Sequence, residues 1–292
     1  MNEKILILIV MIAILYFKVF KGKIPTLDDI MKKVEDIFTA PPIEAWEQLR
    51  QVTTIIPQLK MLSPSYCLLT LNYTDLISMV SSYGANAIRF FAYCNWGDEG
   101  NPIKYSAWAR NEDLSKLSSV VSFCNSKGMY AVVSIFTQYN DLSGLTPLSA
   151  PEKEKVEYVK RVVAALKSDR VIYDLTNEGG GGEWVLAELK KYGVLTCSYG
   201  SNIGANYYSV HTGQKSYAGP SGDGAFIHST DTPTLIHLSD NDIMNIAQGA
   251  ISAGGNFEFL LAWGRKGREG ALTNSTAILN EYGNVLSRIR DL

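Results

Sequence analysis

Short apolar runs alternate with amphipathic stretches from about residue 66 to the end of the chain. This alternation predicts βα units around a parallel sheet, and the nearly continuous apolar strands are typical of a sheet covered on both faces. The predicted fold class is therefore α/β, as a (β/α)8 barrel (TIM barrel). The eight predicted strands are Tyr66–Leu71, Asn86–Ala92, Met129–Phe136, Val171–Leu175, Val194–Cys197, Tyr207–Val210, Thr234–Leu238 and Phe257–Ala262.

A doubly wound open sheet is the structural alternative. No Gly-rich phosphate fingerprint follows an early strand, which counts against the dinucleotide-binding form of that fold. The connection from His211 to Pro233 is rich in Gly, Ser and Pro and shows no helical periodicity. It predicts a loop over the barrel mouth.

The first segment, residues 1–21, is predicted to be a hydrophobic membrane-anchor or signal-like helix. Ile5 to Phe17 is an unbroken apolar run, and extending it through residue 20 approaches the lower length limit of a transmembrane helix. A membrane partner through residues 5–20 is therefore expected, with a cleaved signal or a helix buried in an assembly as alternatives. The protein is expected to be membrane-anchored or exported. The lysines after the run favour the cytoplasmic side for the rest of the chain, and the side of the membrane stays open.

Residues 22–64 are predicted to form a helical stalk or linker, and residues 65–292 the barrel. Thr26 has the character of an N-cap, and the helix it starts ends near Ala40, before two prolines. A second amphipathic stretch, Ile43 to Leu59, leads into the barrel.

Composition restricts the classes of function. The chain has 292 residues, 46% of them hydrophobic, and a net charge of −2. This balance does not indicate a nucleic-acid partner, which requires clustered Lys and Arg. No metal cluster, C-x-x-C pair or cofactor motif occurs in the sequence, so no cofactor is predicted. The cysteines fit small buried side chains, and a disulfide between Cys67 and Cys94 is compatible with export.

Candidate chemistry lies where the predicted strands end, because barrels carry their active sites at the C-terminal ends of the strands. Asn177 and Glu178 follow the fourth strand and precede four glycines. Arg89 lies inside the apolar second strand and must have an acceptor, for which Glu178 and Asp240 are candidates. His211 follows the sixth strand and Trp263 the eighth.

The segments YGANAIRF and IYDLTNE, with the later His and Trp, resemble the superfamily of retaining glycosidases that includes cellulases and β-mannanases, clan A of the glycoside hydrolases. The resemblance covers residues 71–263 and implies that Glu178 is the general acid/base. It also implies that Asn177 binds the sugar 2-hydroxyl and that Arg89 keeps the nucleophile ionised. His211 and Trp263 resemble subsite residues, and Tyr139 is a further candidate for substrate binding.

The chain departs from this family pattern at the seventh strand, where the nucleophile Glu is absent. Asp240 is the nearest carboxylate to the predicted strand and becomes the candidate nucleophile or base. Retaining enzymes need carboxyl groups about 5–5.5 Å apart and inverting enzymes about 6.5–9.5 Å apart, and both geometries stay open. The absence of any second catalytic carboxylate stays open as well.

Each candidate also has a purely structural interpretation. Glu178 would then favour a helix N-terminus, and Asp240 would cap the next helix. Arg89 would be a structural ion-pair partner, His211 an ordinary hydrogen-bonded residue at the rim, and Trp263 a packing residue of the barrel. Glu258, in the eighth strand, is expected to point at the helix layer, and a role in the site is the alternative.

Two functions follow from these observations. The first is a glycoside hydrolase that acts on a β-linked oligo- or polysaccharide, an O-glycosyl hydrolase lacking the usual second Glu. The alternative is a catalytically inactive barrel that binds glycan or forms a structural part of a membrane or particle assembly. A carbohydrate is the expected substrate or ligand in both cases.

Overall fold

The computed structural model describes residues 57–94, 105–108, 110–137, 150–166, 168, 170–177, 182–265 and 267–292. The predicted anchor, the stalk up to residue 56, Glu178 and Tyr139 lie outside these ranges. The segment Pro57–Leu292 forms one compact unit. Among the described residues, no helix is both long and apolar enough to cross a membrane.

Eight parallel strands close into a barrel in which each strand pairs with the strands before and after it in the chain and the last pairs with the first, which confirms the predicted barrel. Each strand pairs with its neighbours in parallel register, so all the C-terminal ends meet at one face of the barrel. The strands are β1 Lys60–Ser63, β2 Ala87–Phe91, β3 Tyr130–Thr137, β4 Val171–Asn177, β5 Leu195–Tyr199, β6 Tyr207–His211, β7 Phe226–Thr230 and β8 Asn256–Leu260.

Helices surround the barrel and bury their apolar sides against the outer faces of the strands. They are α1 Tyr73–Ser82, α2 Asn111–Ser126, α3 Glu152–Leu166, α4 Glu183–Lys190, α5 Thr232–Leu235, α6 Asp240–Ala253 and α7 Ser275–Arg290. Two short antiparallel pairs accompany them, Tyr93–Cys94 with Tyr105–Ser106 and Trp263–Gly264 with Gly267–Ala271.

The prediction for strand one was wrong. The first strand is Lys60–Ser63, within the predicted stalk, and the apolar run at Tyr66–Leu71 instead contains the 3-10 turn Leu68–Thr70. Leu68 and Leu69 are buried against the helix layer. An apolar run reports burial rather than extended backbone, and here the turn buries it just as completely.

The prediction for strand seven was also wrong. Thr234–Leu238 lies in the short helix α5 and the turn after it, and the seventh strand is Phe226–Thr230. The sequence of that strand, FIHST, has polar residues on both faces, with Ser229 inside the barrel and His228 and Thr230 outside, so its apolar signal is weak.

The connection between β6 and β7, residues 212–225, contains no helix. Tyr217 stacks on His228 with ring centroids 6.0 Å apart and meets Phe226 edge-on at 5.7 Å. Phe226 and His228 alternate with the inner residue Ile227, so they face outward. This part of the loop therefore lies against the outside of the barrel, and its predicted position over the mouth was wrong.

Candidate active site

The barrel interior is apolar near the N-terminal ends of its strands and polar one step further along them. Strand side chains alternate, so residues two positions apart share a face. The lower cluster contains Met61, Ala87, Val132, Ile172, Leu195, Tyr207 and Ile227. Two positions beyond them lie Ser63, Arg89, Ser134, Asp174, Cys197, Ser209 and Ser229, to which β8 adds Glu258; we call these eight residues the polar layer.

Arg89 is the centre of the polar layer and is 1% exposed. Its Nη2 donates to Asp174 Oδ2 at 2.5 Å, and its Nε donates to the same oxygen at 3.0 Å. Its Nη1 lies 3.5 Å from Glu258 Oε2. The predicted need for a buried acceptor is met, but by Asp174 and Glu258 and not by Asp240.

Burial alone would lower the pKa of Arg89, because desolvation disfavours the charged guanidinium. The facing Asp174, Tyr66 and Glu258 more than offset this effect, and the pKa of Arg89 is raised well above its usual value. Arg89 is therefore a fixed positive charge beneath the mouth of the barrel.

Glu258 points into the barrel, so its expected position facing the helix layer was wrong. Its Oε1 accepts hydrogen bonds from Ser63 Oγ at 3.1 Å and from Tyr66 Oη at 3.3 Å. Its Oε2 accepts from Ser229 Oγ at 2.7 Å and from Arg89. The neighbouring Phe257 and Phe259 take the outward positions in the main core.

Asn177 is the last residue of β4 and is joined directly to Arg89. The Nη2 of Arg89 donates to Asn177 Oδ1 at 3.1 Å. The structure thus brings together two of the predicted site residues, Arg89 and Asn177, at the end of the strand that precedes Glu178. Glu178 and Tyr139 lie outside the described residues.

His211 and Trp263 lie where the sequence analysis expected them, at the C-terminal ends of β6 and β8. His211 is partly exposed and meets Tyr199 edge-on at 5.0 Å. Trp263 is 6% exposed and packs in a cluster with Tyr66, Phe91, Leu260 and Ala262. The indole is therefore part of the packing at this end of the barrel, and its role as a sugar platform stays a prediction.

Asp240 does not follow the seventh strand, so the premise of its assignment was wrong. It is the first residue of α6, whose N-cap is Ser239 in a capping box with Asp242. Its carboxylate pairs with Arg265 and accepts from Asn284 of α7 at 3.3 Å. These contacts place Asp240 in the layer of helices outside the barrel.

The residue that does follow the seventh strand is Asp231. It continues the inward series Ile227, Ser229 by one further step of two. Its side chain is partly buried, and Oδ1 accepts from the backbone N–H of Thr234 at 3.1 Å, which caps the short helix α5. Asp231 was not among the predicted site residues because the seventh strand was predicted too late in the chain.

Asp174 was missed for a different reason. The predicted site residues lie mainly at strand ends, whereas Asp174 lies inside β4, where it also accepts a short hydrogen bond from Ser134. A carboxylate in an otherwise apolar strand requires a partner, and this requirement marks Asp174 and Glu258 in the sequence as residues that need one, although it does not pair them with Arg89.

The family model described as Cellulase (glycosyl hydrolase family 5) matches residues 46–221. This match covers more than half of the 292 residues and ends before β7 begins at Phe226. No curated protein has a significant sequence match to the chain.

Several solved structures are similar in fold. The endo-1,4-β-mannanase from Rhizomucor miehei has a TM-score of 0.54 at 8% identity, covering 81% of this chain and 96% of that one. The β-1,4-D-mannanase from Cryptopygus antarcticus has a TM-score of 0.51 at 12% identity, covering 80% and 91%. A GH5_18 protein from Bifidobacterium longum subsp. infantis has a TM-score of 0.50 at 10% identity, covering 80% and 79%. At these identities the likeness shows the fold alone.

Proposed function

Because the chain belongs to the cellulase family, glycosyl hydrolase family 5, we propose that it hydrolyses a β-linked oligo- or polysaccharide with Glu178 as the general acid/base. The observation that carries this proposal is the Arg89–Asn177 hydrogen bond at the end of β4, directly before Glu178 in the sequence. A buried guanidinium that fixes a polar side chain at the barrel mouth is suited to orienting a sugar hydroxyl.

β-1,4-Mannan is the first substrate class to test. Two proteins of similar fold are described as β-1,4-mannanases, and β-1,4-glucan and xyloglucan are the comparison substrates. Asn177 would bind the sugar 2-hydroxyl, Glu178 would protonate the leaving oxygen, and His211, Trp263 and Tyr139 would contribute to subsites.

The test is release of reducing ends from these polysaccharides by the purified chain and by Glu178→Gln. Loss of general acid catalysis is expected to lower the rate by about 10²–10⁴-fold. Glu183→Gln is the matched control, since Glu183 lies five residues away in the first turn of α4 and is exposed. Equal rates for the wild type and Glu178→Gln would refute the assignment of Glu178.

We further propose that Asp231, rather than Asp240, is the second carboxylate of the reaction. Asp231 follows β7, and in clan A of the glycoside hydrolases the nucleophile lies at the end of the seventh strand. Asp240 instead pairs with Arg265 in the helix layer. Asp231→Asn isolates the charge, because Asn caps a helix about as well as Asp. This variant is expected to lose hydrolysis and Asp240→Asn to keep it; the reverse result would restore Asp240.

A non-catalytic glycan-binding barrel is the second candidate, and strand seven favours it. The inner position of β7 in the polar layer is Ser229, which is buried and donates to Glu258, and no Glu occurs in the strand or directly after it. This candidate predicts that calorimetry detects binding of manno- or cello-oligosaccharides while no reducing ends appear. Turnover that depends on Glu178 would exclude it.

We also propose that the barrel is exported, whether or not residues 5–20 anchor it to a membrane. Cys67 is disulfide-bonded, and disulfides persist mainly in oxidising compartments. Cys124 and Cys197 are free and buried.

A further inference from the structure

The carboxylate of Glu258 is not available to a substrate. An ionised carboxylate has about four acceptor sites, and the described contacts supply four donors: Ser63, Tyr66, Ser229 and Arg89. The residue is also completely buried. Its chemical role must therefore act through a neighbouring group.

The neighbour that extends towards the barrel mouth is Arg89. Its guanidinium is fixed from two sides, by Asp174 on β4 and by Glu258 on β8. The inner residue of β7 in the polar layer is Ser229, and it donates to Glu258 and not to Arg89. Besides Asp174, the carboxylate that contacts Arg89 is therefore Glu258 on β8, and β7 contributes no carboxylate to this contact.

Arg89 in turn determines how the amide of Asn177 is oriented. Arginine has only donors, so the atom of Asn177 that faces it must be the oxygen, and Oδ1 lies 3.1 Å from Nη2. The NH₂ group of Asn177 therefore lies on the other side of the Cβ–Cγ bond, in the amide plane and away from Nη2 of Arg89. A turned amide would bring two donors together and lose the hydrogen bond.

We propose that Glu258 is a positioning residue of the active site, which holds Arg89 in place and so keeps the Asn177 amide turned with its NH₂ group towards the substrate. The proposal rests on the proposed function for the identity of that substrate, a β-linked sugar. It gives a residue of β8 a function inside the barrel, whereas the sequence predicted that Glu258 faces the helix layer.

The experiment compares wild type with Glu258→Gln in two independent readouts. Gln has one acceptor oxygen and an NH₂ group, so it cannot accept from all four donors, and Arg89 loses a charged partner. The side-chain NH₂ resonances of Asn177, identified by their absence in Asn177→Ala, are expected to shift or broaden in the variant. In kinetics on the best β-glycan, kcat is expected to fall about 10–100-fold with a smaller change in KM, because contacts to the 2-hydroxyl strengthen in the transition state.

A second pair of variants decides the matter if Glu258→Gln does not fold. Ser229→Ala removes one donor to Glu258, whereas Ser209→Ala changes a serine of the polar layer for which the described contacts include no bond to Glu258 or Arg89. Ser229→Ala is expected to shift the Asn177 resonances and Ser209→Ala to leave them unchanged.

The outcomes separate the two proposals. Active wild type with unchanged Asn177 resonances and unchanged kcat in Glu258→Gln and Ser229→Ala would overturn the positioning role. Shifted resonances in a chain that hydrolyses no glycan would support the coupling of Glu258 to Asn177 and count against the proposed function.

Discussion

At the scale of single residues, the ion pairs of Arg89 with Asp174 and Glu258 determine how the buried charges inside the barrel are compensated. A buried ion pair contributes little compared with a well-packed apolar replacement, but removing one partner leaves an uncompensated charge. Arg89 faces two buried carboxylates, Asp174 and Glu258. Removal of the guanidinium would leave both carboxylates buried without their positive partner.

Arg89→Met is therefore expected to lower the free energy of unfolding by about 3–5 kcal/mol or more, measured by urea denaturation. Lys160→Met is the control, because Lys160 pairs with Glu157 in water on the surface of α3, and such pairs contribute about 0–1 kcal/mol. An equal decrease in the free energy of unfolding in the two variants would show that the buried ion pairs of Arg89 stabilise the fold no more than an exposed pair does.

The sequence predicted that Arg89 needs a carboxylate but not which one. That choice depends on the register of eight strands, which places Asp174 and Glu258 beside the guanidinium although they lie 85 and 169 residues away in the chain. Asn177 could be found because it ends a strand with a clear apolar signal. Asp231 could not, because β7 has polar residues on both faces and therefore gives no clear apolar signal.

At the scale of elements, the connection 212–225 covers the outer face of β7 with a loop. Three glycines make room for Tyr217: a Cβ at Gly219, Gly249 or Gly255 would lie within 3 Å of its side chain. On the other side of the ring system, His228 accepts a hydrogen bond from the backbone N–H of Ala218 at 3.1 Å. The loop is therefore held by ring packing, by the bond to His228 and by further hydrogen bonds, such as that from Asn256 Nδ2 to the Gly224 carbonyl at 2.8 Å.

Gly249→Ala tests this packing. In an ordinary helix, Gly→Ala stabilises by up to about 1 kcal/mol, but here the new Cβ would lie 2.8 Å from Tyr217 Cβ. Overpacking costs about 1–3 kcal/mol, so a net loss of stability is expected. Gly283→Ala in α7, whose Cβ would meet Leu279 at an ordinary 3.8 Å, is expected to stabilise. A stabilising Gly249→Ala would contradict the placement of Tyr217.

His228 predicts a pH-dependent stability of the same region. Burial lowers the pKa of His228 from 6.5 to about 4. Between these values the unfolded chain binds a proton that the folded chain does not, so stability is fully present above pH 6.5 and decreases as the pH falls towards 4.

We expect wild type to lose about 2 kcal/mol more than His228→Gln between pH 7 and pH 5, in urea titrations at both values. His237→Gln, at an exposed histidine, is the control and is expected to follow wild type. Parallel losses in wild type and His228→Gln would contradict the burial of this imidazole.

At the scale of the whole molecule, the alternation of strands and helices was sufficient to predict the closed barrel. Six of the eight strands lie near their predicted positions, because covered parallel strands give strong apolar runs. The predictions for the first and seventh strands were wrong. The first strand is short and the seventh is polar, and the apolar run near each of them belongs to a turn or a short helix. The anchor and stalk predicted for the chain before residue 57 stay predictions.

The disulfide state of the whole chain is a further prediction. The sequence has four cysteines, and Cys67 is disulfide-bonded whereas Cys124 and Cys197 are free. Alkylation in denaturant without reductant is expected to modify two cysteines, and four after reduction, as counted by mass spectrometry. Cys94 is the partner that the sequence leaves open for Cys67 in an exported domain. Four modified cysteines in unreduced protein from an oxidising compartment would contradict the disulfide.

The most direct test of the central claim, that this chain is a glycosidase with Glu178 as its general acid/base, compares two leaving groups. Wild type and Glu178→Gln are assayed on a manno-oligosaccharide and on the matching dinitrophenyl β-glycoside. A good leaving group needs no protonation, so the variant is expected to lose the oligosaccharide reaction by about 10²–10⁴-fold and to lose cleavage of the activated bond much less. Equal losses on both substrates, or no cleavage of either by wild type, would contradict the claim.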